Sequence, residues 1–228
     1  MIENRSLIVN GLPLEYAVSG PADGDPVVLL PAQGDWALLG DELARKRRVY
    51  VPDLSNRGGE EEAQEHASSR RMRDELLALL DALGLDRVDL AGRATGGEAA
   101  RLVAQAQPWR VARLVLEEVR APYPRRSGKM RPETLDIDWF ALPQDPSLTE
   151  PDDLAGLLRI TAPTLVLAGG PASHLPQDDI AGMVDLIPDA RLITIPVGHL
   201  VHAAAPQEFV RAVVDFLDDL SDSGSARL

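Results

Sequence analysis

Residues 88–97 read Val88-Asp89-Leu90-Ala91-Gly92-Arg93-Ala94-Thr95-Gly96-Gly97. An apolar run enters a glycine turn, and a helical pattern starts at once and continues to Gln107. A strand that turns this tightly into a helix belongs to a layered α/β arrangement, because the helix must pack back on the sheet. Between the glycines stands Ala94, whose side chain is a single methyl group.

The rest of the chain repeats the alternation. Strand-like segments are expected at 7–9, 14–18, 27–30, 48–52, 87–91, 111–117, 163–168 and 191–195, with the Asn10-Gly11 turn signal joining the first two. Helical spacing covers 36–46, 72–83, 97–107, 178–186 and 207–220. Gly84 follows the second of these, where a helix end favours a residue that tolerates positive φ. Residues 55–67 are polar and acidic and read as a loop. From 119 to 153 the periodicity disappears and prolines are frequent. Several of the strands are continuous apolar runs, as expected where both faces are covered. The expected fold class is α/β: a mostly parallel, eight-stranded sheet flanked by helices. One domain is expected over 1–220, with a flexible tail at 221–228.

Composition narrows the function classes. The formal net charge of −13 opposes a nucleic-acid partner, which would need a basic surface. No cysteine is present, so disulfides, thiol catalysis and thiolate metal sites are excluded. No run of ~18 apolar residues exists to span a membrane. The N-terminal residues lead into a strand-like segment without a signal-peptide core, and the expected location is the cytoplasm. The four histidines and the carboxylates show no metal-ligand spacing, so neither metal nor cofactor is expected.

Later motifs give the pattern a family. Pro163-Thr164-Leu165-Val166-Leu167-Ala168-Gly169-Gly170 is followed by Ile187-Pro188-Asp189-Ala190-Arg191-Leu192 and then by Pro196-Val197-Gly198-His199-Leu200. With the 88–97 turn, these motifs resemble the α/β-hydrolase superfamily over nearly the whole chain. The resemblance implies that His199 is the base of a catalytic triad. It also implies that Ala94 stands at the nucleophile position of the Gly-x-Ser-x-Gly elbow. The usual acid after the seventh strand falls on Ala172. The lid is reduced to a proline-rich stretch at about 119–162.

Because some members carry the acid after the sixth strand, Glu118 at the end of Leu116-Glu117-Glu118 is expected to orient His199. Strand alternation sends Glu117 to the opposite face. Substrate-binding positions are expected at Ala32, Gln33, Trp36, Arg93, Thr95 and Trp139, with the amides of Ala32 and Thr95 facing a developing negative charge. His174 and His202 are expected at the surface or the rim. The combined expectation is a non-hydrolytic enzyme acting on a small molecule or short peptide by proton transfer, of isomerase, epimerase, cyclase or lyase type. Two alternatives stand beside it: a catalytically dead pseudo-hydrolase that binds a ligand or protein partner, and a weak serine-independent hydrolase.

Overall fold

The computed structural model describes residues 2–31, 36–54, 65–122 and 154–219. Eight strands form one sheet: β1 (Glu3–Val9), β2 (Leu12–Ser19), β3 (Pro26–Leu30), β4 (Arg48–Pro52), β5 (Val88–Arg93), β6 (Val111–Glu117), β7 (Thr164–Ala168) and β8 (Ala190–Thr194). Their spatial order is β1-β2-β4-β3-β5-β6-β7-β8. The β1–β2 and β2–β4 pairs are antiparallel, and every other pair is parallel.

Alternation along the central strands divides the core in two. Val28, Leu30, Leu90, Leu114, Leu116 and Val166 face one apolar cluster. Their neighbours Val27, Leu29, Ala91, Val115, Leu165 and Leu167 face the other. Helices α2 (Glu65–Leu83), α3 (Ala94–Ala106) and α5 (Gln177–Leu186) cover the first face, with the short α4 (Leu154–Leu157) beside them. Helices α1 (Ala37–Leu43) and α7 (Pro206–Asp218), together with Val201 of the short α6 (Val201–Ala204), supply the second. Burial on both faces explains why these strands read as unbroken apolar runs.

Several elements depart from the expectations, the short α4 among them. Strand β1 begins at Glu3 rather than residue 7, and its first half is exposed and polar. The ladder from Glu3↔Val18 to Val9↔Leu12 holds it through backbone pairing, which leaves no apolar signature. Helix α2 begins at Glu65, inside the stretch expected to be a loop. There the buried Ser69 hydroxyl donates to the buried Glu98 carboxylate at 2.7 Å, so polar contacts help to join this end of α2 to α3. Helix α6 was not expected at all, being too short to show a period. At the Asn10-Gly11 turn both residues have positive φ, 51° and 79°, as a two-residue hairpin requires. Most of the expected lid and all of the expected tail fall outside the described residues. Among the described residues no helix is long and apolar enough to cross a membrane.

Candidate active site

The site begins at the junction of β5 and α3. Every residue of β5 is buried, and Ala94, the first residue of α3, holds φ 45° in the left-handed region. For a residue other than glycine this conformation costs roughly 1–2 kcal/mol. The turn closes only because its flanks lack side chains. A Cβ on Gly92 would stand 2.6 Å from the Gly96 carbonyl oxygen, and one on Gly96 would stand 2.4 Å from the Leu30 carbonyl oxygen. Thr95 follows, half-buried, in the first turn of α3. Arg93, the N-cap residue, is 5% exposed and makes no side-chain cap hydrogen bond. Amides in a first helical turn have no carbonyl partner within the helix and favour negative charge.

Sheet register brings the next group alongside. Arg93 pairs with Glu117, so the residues that follow them, Ala94 and Glu118, leave neighbouring strands at the same end of the sheet. Glu118 also has positive φ, 47°, and is 1% exposed. Its Oε1 accepts the Gly169 amide at 2.5 Å. Its Oε2 accepts the Ser173 hydroxyl and lies 2.9 Å from His199 Nδ1. Since an ionised carboxylate only accepts, Nδ1 carries the hydrogen in this pairing and Nε2 takes no part in it. The His199 segment approaches closely: the Gly198 amide donates to the Gly169 carbonyl at 2.9 Å. A Cβ on Gly169 would meet the Gly198 carbonyl oxygen at 2.1 Å, so glycine is needed there.

Several positions differ from the sequence reading. Ala172 is exposed in a 3-10 turn (Gly170–Ala172), and its neighbour Ser173 is the residue that reaches Glu118. His174 is exposed, but its ring lies 3.9 Å from the His199 ring, centroid to centroid, tilted by 49°. His202, expected at the surface or rim, is only 9% exposed and pairs with Glu117. Trp36, expected at the substrate pocket, is a core residue 5% exposed, with its ring centroid 5.5 Å from that of Phe209. Its indole N–H donates to Glu117 at 3.1 Å. It also borders a cavity of about 210 Å³ between α1 and strands β2 to β4. Sequence alone could not show which way this indole packs. Ala32, Gln33 and Trp139 lie outside the described residues. Among the described residues, no group of three or more His, Asp or Glu is placed to hold a metal ion.

A conserved-domain comparison matches the model of the alpha/beta hydrolase family over residues 27–212. The chain belongs to the α/β-hydrolase family. Within it, a 2-hydroxymuconate semialdehyde hydrolase of a Pseudomonas species is 33% identical over 120 residues, covering 49% of this chain and 42% of that protein. A 2-hydroxy-6-oxo-2,4-heptadienoate hydrolase of Pseudomonas putida is 39% identical over 101 residues, covering 41% and 37% respectively. The match therefore spans less than half the length of either relative. A solved hydrolase structure from Pseudomonas aeruginosa superposes with a TM-score of 0.71 at 24% identity, covering 94% of this chain and 98% of that one. That likeness shows the α/β-hydrolase fold.

Proposed function

We propose that this α/β-hydrolase-family chain is a non-hydrolytic enzyme that moves a proton within a small molecule or short peptide. One observation carries the reading: a histidine–carboxylate pair is assembled at the end of the central strands, while the neighbouring elbow offers only the methyl group of Ala94. Losing the serine from a hydrolytic triad lowers kcat by ~10⁶. Acid–base catalysis needs no nucleophile and contributes ~10²–10⁴ by itself. His199 Nε2 takes a proton from carbon, and the same imidazolium returns it at another position, so atoms and charge balance. Glu118 holds the ring and offsets its positive charge, as the acid of a triad does. The Thr95 amide, in the first turn of α3, suits a developing enolate or alkoxide.

Two relatives are named for 2-hydroxy compounds that also carry an aldehyde or ketone. A carbonyl compound with an acidic C–H is the matching substrate class here. The test is incubation in D₂O with a 2-hydroxydienoate and with a small-molecule cell extract, read by chromatography and mass spectrometry. Deuterium gained at carbon, or a new isomer of unchanged composition, is the expected result. His199→Ala should slow it by ~10²–10⁴. Cleaved products would overturn the non-hydrolytic reading in favour of serine-independent hydrolysis. Ala94 also favours a second reading, ligand or partner binding without turnover. A compound that co-purifies unchanged, with binding intact in His199→Ala, would select it.

A further inference from the structure

Glu117 is fully buried, at 0% exposure, yet three N–H groups converge on its carboxylate. The Trp36 indole donates to Oε2 at 3.1 Å. The His202 backbone amide donates to Oε1 at 3.0 Å, and His202 Nδ1 lies 2.8 Å from Oε1 and 3.1 Å from Oε2. A carboxylate offers only acceptors, so Nδ1 of His202 carries the hydrogen. The same strand end therefore bears two acid–histidine pairs: Glu118 with His199, and Glu117 with His202.

The donors come from elements that need anchoring. Trp36 is the N-cap residue of α1. His202 belongs to α6, a helix of only four residues with no side-chain cap. One turn of helix does not hold itself, because nucleation fixes several dihedrals for a single hydrogen bond. Something outside α6 must fix it, and Glu117 binds both the backbone and the side chain of its second residue.

We propose that Glu117 is a positioning residue for His199. It pins His202 to the end of β6, which places the segment three residues earlier so that the His199 ring meets Glu118. Through Trp36 it ties the start of α1 to the same point. From the proposed function this takes only that His199 is the working group.

The test leaves Glu117 unchanged, so no buried charge is removed. His202→Leu deletes the side-chain donor, and His202→Gln restores an N–H of similar reach. Nitrogen-15 and proton spectra of the imidazoles then report on His199. The hydrogen-bonded Nδ1–H signal of His199 should be present in the parent chain and in His202→Gln, and lost or strongly broadened in His202→Leu. Thermal melts establish that all three are folded. A His199 signal unchanged in His202→Leu overturns the proposal, and so does an equal loss in both variants, which would mean packing alone matters. Should His202→Leu fail to fold, Trp36→Phe removes one donor and keeps an aromatic ring. A weakened His199 signal there supports the tether, and an unchanged one overturns it. Turnover plays no part in this readout, so the proposed reaction and the tether can fail separately.

Discussion

At the turn into α3, Ala94 holds a left-handed backbone although its methyl group contacts no chemistry of its own. Ala94→Gly should therefore stabilise the chain by about 1 kcal/mol, since glycine adopts positive φ without the Cβ clash. Urea denaturation checks this; a lower midpoint at unchanged slope would show that the conformation is unstrained. Glu118 shares the left-handed conformation but has three donors to keep it there. These two residues and His199 were legible in the sequence because each sits in a short motif at the end of an apolar run. Ser173, His174 and His202 were not. A lone serine or histidine carries no period, and only the folded neighbourhood decides whether it meets a carboxylate.

The ends of three elements meet at a buried ion pair at the opposite end of β5 from the site residues. Arg47, just before β4, donates to Asp89 of β5 at 2.5 Å and to the Leu217 carbonyl of α7 at 2.5 Å. Burial pushes the Asp89 carboxyl up from its ordinary 3.8, with the Arg47 guanidinium opposing the shift. Its Oδ1 is buried with no hydrogen-bond partner among the described residues. Asp89 in the folded chain thus holds its proton more tightly than in the unfolded chain. Its contribution to stability is fully present below the unfolded value and is lost as pH rises through the folded one. Asp89→Asn does not titrate, so the stability difference should move in favour of the variant as pH rises through and above the carboxyl's ordinary 3.8. Melts of both proteins across that range check it, and a difference that is flat or moves the other way would contradict the assigned shift. Strand positions in the sheet centre were readable from continuous apolar runs. The polar half of β1, the start of α2 and all of α6 were hidden, because backbone ladders and polar contacts hold them rather than an apolar stripe.

Over the whole molecule, 36 acidic side chains face 23 Lys and Arg, for a formal net charge of −13. Self-repulsion at that charge disfavours the compact state and is screened by salt within about 8 Å at physiological ionic strength. Raising salt from a few millimolar to about 0.15 M should lift the melting temperature, and calorimetry at the two strengths checks it; a fall would mean that attractive surface pairs dominate. A mostly parallel, eight-stranded sheet was expected, but sequence alone could not show which distant groups the fold would join. Trp36 and Glu117 are 81 residues apart, Glu118 and His199 also 81, and Glu117 and His202 85. Each contact closes a long loop, with an entropic cost met before any local reward. In folding kinetics this makes the tip of β6 a late event, and the pairing of its two carboxylates with the histidines marks arrival at the native state.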